Sequence, residues 1–342
     1  MSKKHSSLAR SERLVVTLLC VLFLSTVAVA AIQCIVRAPE PAPDSGTAVT
    51  PSQGKQSDTV QTTTPADDPA DEPPARERRE FCYNILVSGV DDGNGGSDTN
   101  ILMRFDATNK RIDLVSLPRD TLLNHTWYSN KLNFAYAKGG IELLQSEVSS
   151  LLGVPVDFYV KVNLKGFIRL VDEIDGVDFD VPINMDYDDP VQDLHIHYSK
   201  GMQHLTGQQA MEVVRFRHNN DGTGYGTEDI GRIGTQQKFL KAVAKKLLDV
   251  GNVDKIPAFV EIFNTYVKTD LTVSNLIWLG TQTLDIGMDN LHFYTLPGDG
   301  TGYYRRESVY VLDRDATLEL INEALNPYTT PITMDETNIL VP

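Results

Sequence analysis

The chain has 342 residues and a formal net charge of −15, from 31 lysine and arginine residues against 46 aspartate and glutamate residues. This length allows one large domain or two ordinary ones, and the acidic balance argues against a nucleic-acid partner, which needs an electropositive surface. Three cysteines are too few for a disulfide scaffold.

The N-terminal region contains one apolar segment long enough to cross a membrane. Residues 14–36 carry no charge and follow a basic flank of four residues, Lys3, Lys4, Arg10 and Arg13. An apolar helix of about 20 residues spans a bilayer, and a basic flank favours a cytoplasmic N-terminus. We therefore predict a cytoplasmic tail over 1–13, a single-pass transmembrane anchor over 14–36 and an extracellular remainder. A signal peptide cleaved near the small residues of VAVAA is the alternative.

The segment after the predicted anchor has the composition of an unstructured linker. Residues 37–80 are rich in Pro, Thr, Ser, Asp and Glu and contain few large apolar residues. Such a segment buries too little apolar surface to offset the entropy lost on ordering, so we interpret it as a disordered stalk. The folded domain is placed at 81–330 and a C-terminal tail at 331–342.

The first half of the folded domain begins with strands. Short apolar runs bounded by turn residues predict strands over 84–90, 99–106 and 111–118, and the connection 107–110 indicates a hairpin between the last two. A helix over 141–152, a strand over 156–162 and a helix over 164–174 that stops at Gly176 follow.

The second half is mostly helical. After a short strand at VDFDV, residues 184–201 are polar and turn-rich and contain His195 and His197. An HxH pair can bind a metal, but we interpret this one as part of an exposed strand or loop. A helix starts after Thr206 as N-cap and runs toward Arg215; further helices are predicted over 230–250, 255–267, 272–286 and 313–325, with a strand over 291–296. Strands mixed with helices indicate a layered α/β domain, and the hairpin favours a mixed sheet.

The loop between the first two predicted strands carries two carboxylates. Asp91 ends the first strand and Asp98 begins the next, with Gly93, Gly95 and Gly96 between them. Carboxylates at neighbouring strand ends can converge on a hard cation such as Mg²⁺, and glycines let a backbone approach a ligand closely. An ordinary Asp/Gly turn is the alternative.

Basic residues follow the third predicted strand. SLPRD places Arg119 and Asp120 at the strand end, and KLNFAY adds Lys131. Loops at strand ends are where α/β folds place functional residues, so Arg119 and Lys131 are candidate phosphate contacts. A structural ion pair and a solvated lysine are the alternatives.

The stretch RFRHNNDGTGYGTEDIGRIGTQQ gathers arginines in an otherwise acidic chain. Arg215 and Arg217 share a face only if the backbone is extended there, whereas Arg232 and Gln236, four residues apart, share a helix face. Asp229 is placed to cap that helix or to orient an arginine. Forked guanidinium donors suit phosphate oxygens, so we predict a local anion site.

Together these segments resemble the LytR-CpsA-Psr family of cell-wall ligases. The matching segments, in order, are NILVSGVDD, SDTNILMRFD, VSLPRD, KLNFAYAKGG, VPVDFYVKVN, the turn 175–178, LTGQQAMEVVRFRH and EDIGRIGTQQKFL. The resemblance implies an α-β-α sandwich with a central mixed sheet and an apolar channel for a polyprenyl tail. It also implies a phosphotransferase in the membrane of a Gram-positive bacterium. Such an enzyme moves an anionic glycopolymer, such as teichoic acid or capsular polysaccharide, from a polyprenyl-pyrophosphate carrier to a hydroxyl of peptidoglycan, forming a phosphodiester bond.

The resemblance also implies roles for individual residues. It places Mg²⁺, or Mn²⁺ instead, at Asp91 and Asp98. It assigns pyrophosphate binding to Arg119, Lys131, Arg215, Arg217, Arg232 and Gln236. It assigns catalysis to Asp91, Asp98, Arg119 and Arg217, supported by Asp120 and Asp229.

Two positions depart from the family pattern. Gly96 and Thr235 stand where the family usually has arginine, and each lost guanidinium removes charge-assisted hydrogen bonds of about 1.5–3 kcal/mol. A catalytically weak protein that binds lipid pyrophosphate or wall polymer is therefore the main alternative function. A pyrophosphate hydrolase, with water as the acceptor, is a further alternative.

Overall fold

The computed structural model describes residues 36–41, 76–90, 96–191, 194–226, 228–247 and 255–340. The predicted cytoplasmic tail, nearly all of the predicted anchor and most of the predicted stalk lie outside these residues, as does Asp91. Among the described residues, no helix combines the length and the apolar character needed to cross a membrane.

The central element of the fold is a six-stranded mixed sheet. Its strands are β1 (Cys82–Val90), β2 (Ser97–Asp106), β3 (Arg111–Leu117), β4 (Phe158–Asn163), β9 (Val267–Thr269) and β10 (Leu291–Thr295). Their order across the sheet is β10-β3-β2-β1-β4-β9. β1–β2, β2–β3 and β4–β9 are antiparallel, whereas β1–β4 and β3–β10 are parallel. The predicted mixed sheet and the β2–β3 hairpin are confirmed. With these directions, the carboxyl ends of β1, β3, β4 and β10 and the start of β2 meet at one edge.

Three two-stranded sheets accompany the central one in the described part of the chain. They pair β5 (Val177–Val181) with β8 (Gly201–Leu205), β6 (Met185–Asp189) with β7 (Leu194–Tyr198), and β11 (Gly298–Tyr304) with β12 (Glu307–Leu312). The helices are α1 (Leu132–Leu152), α2 (Leu164–Glu173), α3 (Gly207–Arg215), α4 (Glu228–Leu247), α5 (Ile256–Tyr266), α6 (Val273–Ile286) and α7 (Arg314–Leu320), which continues as a π-helical turn over Ile321–Leu325.

Alternate residues of the central strands bury opposite faces of the sheet. Leu86 and Leu102 pack in one core with residues of α1 and of the π-helical turn. Ile85 and Phe105 pack in another core that includes residues of α6. Ile85 is one residue from Leu86 and Phe105 is three residues from Leu102, so each points to the opposite face of the sheet. Because side chains alternate along a strand, one sheet supports helices on both faces. The predicted α-β-α layering is therefore present.

A second packing unit lies beyond the end of β4. Its core joins residues of α2, α3 and α4 with residues of β5 to β8, including Phe179, Val213 and Phe239. α2 and α3 approach so closely that a Cβ at Gly207 would overlap the carbonyl of Ile168, which explains a glycine at the first position of α3. Thr206 forms a capping box with Gln209, so the predicted N-cap is confirmed.

Two regions were predicted only in part. α1 consists of two helical pieces, because Gly139 (φ −145°, ψ 19°) and Gly140 (φ 72°, ψ −160°) have non-helical backbone angles. The second piece matches the predicted helix over 141–152, whereas the first, from Leu132, was not predicted. In the segment 184–201, the strand alternative for the exposed HxH pair is confirmed, because both histidines lie on β7 of the β6–β7 hairpin.

The limits of the folded part also differ from those expected. Arg78 forms an ion pair with Asp157, so residues 76–80 belong to the domain and not to a stalk. The backbone N–H of Arg37 donates to Ser274 Oγ on α6 at 2.8 Å. At the other end, Ile332 and Ile339 are buried in the core on the α1 face, so a separate tail from residue 331 is wrong for the described residues.

Candidate functional site

A cavity of about 560 Å³ opens at the edge of the sheet where β1 and β4 end and β2 begins. One wall comes from this edge and includes Val90, Asp98 and Arg119. The opposite wall comes from the second packing unit, through β6, β7, the end of α3 and the start of α4. The cavity thus lies between the two packing units, at the strand ends where α/β folds place ligands.

Asp98 and Arg119 form an ion pair on the sheet-edge wall. Arg119 Nε also lies 3.5 Å from Asp120 Oδ1, and Lys131 Nζ lies 3.4 Å from the same oxygen. These four residues form a row of alternating charge that orders the Arg119 side chain. Asp98 and Arg119 line the cavity, whereas Asp120 and Lys131 are not among its lining residues.

The backbone around Arg119 is held by the start of α1. β3 ends at Leu117, and the next residue, a proline, lacks the N–H that a strand ladder needs. The backbone N–H of Asn133 then donates to the carbonyl of Arg119 at 2.9 Å. Asn133 itself lines the cavity, a position that the sequence analysis did not identify although it lies in the KLNFAY motif.

Arg215 and Arg217 both line the cavity because the helix ends between them. Arg215 is the last residue of α3, and Phe216 has an extended backbone (φ −57°, ψ 137°). The exposed fraction of Phe216 is only 1%, so its buried ring anchors the point where the chain leaves the helix. The condition for Arg215 and Arg217 to share a face, an extended backbone between them, is therefore met.

Arg232 and Gln236 lie on the cavity face of α4, as their four-residue spacing predicts. The exposed fraction of Arg232 is 5%, so its side chain is itself largely shielded from water. Gln236 Nε2 donates to the carbonyl of Val214 at 3.1 Å and thereby ties α4 to the end of α3. The side chain of Asp229 lies outside the described residues.

Gly96 and Thr235, the two departures from the family pattern, occupy different environments. Gly96 lines the cavity, and a Cβ built there would meet no atom within 4 Å. Thr235 is not a lining residue: its exposed fraction is 3%, and its Oγ1 lies 2.6 Å from Tyr225 Oη. The ring of Tyr225 packs directly over Gly231, where a Cβ would overlap it. Thr235 therefore belongs to the packing behind α4.

Other lining residues were not predicted. Tyr187 of β6 and Leu194 of β7 reach the cavity from strands whose bounds had not been predicted. His218 directly follows the RFR segment and packs edge-on against Tyr187, with 5.6 Å between ring centroids. The apolar residues Leu164 and Val214 also line the cavity, so arginines and apolar side chains share one space.

One carboxylate at the sheet edge is an oxygen donor of the kind that a hard cation prefers. The Asp98 side chain is 43% exposed and lines the cavity beside Arg119. Mg²⁺ is commonly held by one or two carboxylates together with water and substrate phosphates, and the Asp98 carboxylate supplies such an oxygen next to the arginines. Asp91, its predicted companion, lies outside the described residues.

Comparison with known proteins gives a consistent set of relatives. The model of the LytR_cpsA_psr family matches residues 48–326. The polyisoprenyl-teichoic acid–peptidoglycan teichoic acid transferase TagV of Bacillus subtilis is 30% identical over 258 residues, which cover 72% of this chain and 64% of TagV. The corresponding TagU of Bacillus cereus is 34% identical over 222 residues, 64% of this chain and 69% of TagU.

A solved structure shows the same fold. The crystal structure of Bacillus subtilis TagV matches with a TM-score of 0.59 and 26% identity, covering 70% of this chain and 94% of that one. The mixed α/β arrangement around a central mixed sheet is thus common to both proteins.

Proposed function

The chain belongs to the LytR-CpsA-Psr family, and we propose that it is a phosphotransferase acting on lipid-linked glycopolymers. It takes an anionic glycopolymer from a polyprenyl-pyrophosphate carrier and joins it to a hydroxyl of peptidoglycan by a phosphodiester bond. The observation that carries this proposal is the convergence of an aspartate and four arginines on one cavity: Asp98, Arg119, Arg215, Arg217 and Arg232. The transferase names of TagV and TagU support it.

The arginines provide the recognition of pyrophosphate. Their side chains come from three separate segments and line a single cavity in a chain with a net charge of −15. Each charge-assisted hydrogen bond to a phosphate oxygen contributes about 1.5–3 kcal/mol. Such a cluster of guanidinium groups is therefore suited to a compact, highly charged anion such as pyrophosphate.

The apolar lining provides a place for the first part of the lipid carrier. Val90, Leu164, Leu194 and Val214 lie in the same cavity as the arginines. A polyprenyl chain joined to the pyrophosphate would contact these side chains when its phosphates are bound. A longer apolar channel for the rest of the tail stays a prediction.

The proposed reaction is a displacement at phosphorus. The acceptor hydroxyl attacks the phosphorus on the sugar side, an O–P bond forms, and the bond to the bridging oxygen breaks as polyprenyl phosphate leaves. The hydroxyl proton passes to a carboxylate, for which Asp98 and Asp91 are the candidates. Negative charge then moves onto the departing phosphate, where Arg217 and its neighbours neutralise it.

Mg²⁺ is the proposed cofactor. Asp98, with Asp91, would hold the ion, which when bound would neutralise phosphate oxygens. Lys131 contacts Asp120 at 3.4 Å, so we assign both residues to positioning Arg119. We propose that the chain is anchored in the membrane of a Gram-positive bacterium with its catalytic domain outside; the uncharged segment 14–36 and its basic flank support this.

The proposal is tested with Arg217→Ala and Asp98→Ala in the full chain, purified in detergent and supplied with lipid-linked polymer and a peptidoglycan acceptor. Each variant removes at least one or two charge-assisted contacts, so turnover should fall at least about 100-fold. Arg169→Ala, at an exposed position of α2 outside the cavity, is the matched control and should behave as the unmodified chain.

The products separate the proposal from its alternatives. Polymer covalently joined to peptidoglycan supports the transferase. Free phosphate-terminated polymer would indicate a pyrophosphate hydrolase, and tight binding without turnover would indicate a binding protein. Near-normal transfer by both Arg217→Ala and Asp98→Ala would refute the assigned site.

A further inference from the structure

The β6–β7 hairpin places two histidines opposite two aspartates on its outer surface. The strands pair antiparallel, with Asp186 opposite His197 and Asp188 opposite His195. All four side chains are exposed, whereas the alternate positions along both strands point toward the protein. The HxH pair and the D-x-D pair therefore form one cross-strand cluster.

We propose that Asp188, His195 and His197 bind a divalent transition-metal ion with the ligand preferences of Zn²⁺. Asp188 Oδ1 lies 2.5 Å from His195 Nδ1 and 3.3 Å from His197 Nε2. One ligand atom from each of the three residues lies within 4.8 Å of the others. Ligand atoms about 2.0–2.2 Å from a tetrahedral Zn²⁺ ion are about 3.4 Å apart, so small side-chain rotations at an exposed site suffice to admit the ion.

A fourth residue already orients one of the histidines. His197 Nδ1 lies 2.8 Å from Asp186 Oδ1, and a proton on Nδ1 donated to that carboxylate leaves Nε2 as the electron-pair donor. Metal-binding histidines in proteins typically donate their other ring N–H to a carboxylate in this way, which fixes the tautomer and the ring orientation. The contact between Asp186 and His197 is therefore typical of a metal-binding histidine, and this observation is separate from the distances between Asp188 and the two histidines.

The ligand types select the class of metal. Two imidazole nitrogens and one carboxylate oxygen suit Zn²⁺ and its neighbours in the first transition row, whereas Mg²⁺ and Ca²⁺ prefer oxygen ligands alone. The hairpin site is therefore chemically distinct from the carboxylate Asp98 in the cavity. Three protein ligands leave a fourth position for water.

Binding here would act on one wall of the arginine-lined cavity. Tyr187 and Leu194, from the same two strands, line that cavity. Asn219 and Asn220 tie the loop after Arg217 to β6, because their side-chain oxygens accept from the backbone N–H groups of Asp186 at 2.7 Å and Asp188 at 2.6 Å. An ion that joins β6 to β7 would stiffen the strand to which this loop is attached.

The test is a calorimetric titration of the full chain with Zn²⁺ in detergent. A background with Cys20→Ser and Cys34→Ser removes two thiols, a ligand type that zinc favours. Prior EDTA treatment removes bound metal, and excess Mg²⁺ occupies oxygen-only sites. The background chain should bind one Zn²⁺ per molecule with saturation. His195→Ala and His197→Ala should each weaken this binding at least about tenfold, and Asp186→Asn about tenfold.

The chain offers a matched control at another strand pair. His204 Nδ1 lies 2.7 Å from Asp178 Oδ1 across the antiparallel pair β5–β8, and both residues are exposed. The residue two before His204 on its strand is a methionine, so this pair lacks the second histidine. His204→Ala should leave Zn²⁺ affinity unchanged.

Hydrogen exchange followed by mass spectrometry supplies a second measurement. Zn²⁺ should slow exchange in residues 185–198 and in the attached loop 218–224, and His197→Ala should abolish this slowing. Equal Zn²⁺ affinity in His197→Ala and in the background chain would overturn the proposal, as would the absence of a saturable site. These measurements need no glycopolymer, so their outcome is independent of the proposed transferase activity.

Discussion

Replacing Gly96 by arginine should tighten the binding of pyrophosphate. Gly96 lines the cavity, and a Cβ at this position would meet no atom within 4 Å. Its φ angle is not among the positive values of the chain, so an L residue adopts the backbone without strain. A guanidinium placed here would join Arg119 and Arg217 around the same anion.

The size of the effect follows from two opposing terms. One added charge-assisted hydrogen bond stabilises the complex by about 1.5–3 kcal/mol. Ordering a long side chain on binding costs about 0.5–1.5 kcal/mol. A net gain of about 1 kcal/mol corresponds to an approximately fivefold lower dissociation constant for polyprenyl pyrophosphate.

The assay measures that dissociation constant and the KM for lipid-linked polymer in the full chain. Gly234→Arg is the matched control, because its Cβ also has open space but the residue does not line the cavity. It adds the same charge to α4 and should change neither constant appreciably. Unchanged or weaker pyrophosphate binding by a folded Gly96→Arg variant would refute the reasoning.

Two further predictions concern buried positions. Thr235→Arg restores the family residue at the second departure. It should destabilise the fold by about 1–3 kcal/mol in chemical denaturation, because Thr235 is buried against Tyr225 and a larger side chain has no room there. A stability equal to that of the unmodified chain would contradict this packing. Burial raises the pKa of the Cys82 thiol from its ordinary value of 9.0 to about 12. Once the pH rises above that ordinary value, the thiol ionises in the unfolded chain first, which favours unfolding. With the other two cysteines replaced, Cys82 should react with a maleimide at pH 8 only after denaturation; rapid labelling of the folded protein would count against a buried thiol.

The central strands were predictable because their sequence pattern and their environment agree. The apolar runs of β1, β2 and β3 occupy a sheet covered on both faces, where continuous apolar strands are expected. The β6–β7 hairpin was predicted only as far as an exposed strand or loop at the HxH pair, because its outer face carries Asp186, Asp188, His195 and His197, which gave the segment a polar composition. The alternation of MDYDD and LHIHY is visible in the sequence, and it was the available signal for a half-exposed strand pair.

The residues of the candidate site were predictable where the local backbone alone determines which way a side chain points. Arg232 and Gln236 share a face by helical spacing, and Arg215 and Arg217 share one because the helix ends between them. The direction of Lys131 could not be derived in this way, since it depends on the tertiary contact with Asp120. The same holds for residues such as Tyr187, whose place in the cavity depends on how the second packing unit docks on the sheet.

The docking of the second packing unit on the sheet decides whether the Asp98 carboxylate and the cavity arginines can act on one substrate. Asp98 belongs to the sheet edge, whereas Arg232 belongs to α4, which packs in the second core. Gln237 joins the two units: its Nε2 lies 2.7 Å from the carbonyl of Tyr294 and 3.0 Å from Ser116 Oγ, atoms at the ends of β10 and β3. The neighbouring Gln236 binds the end of α3 from the same helix. Consecutive glutamines of one helix thus hold both walls of the cavity, and the distance between the Asp98 carboxylate and the arginines depends on these uncharged residues as well as on the charged groups.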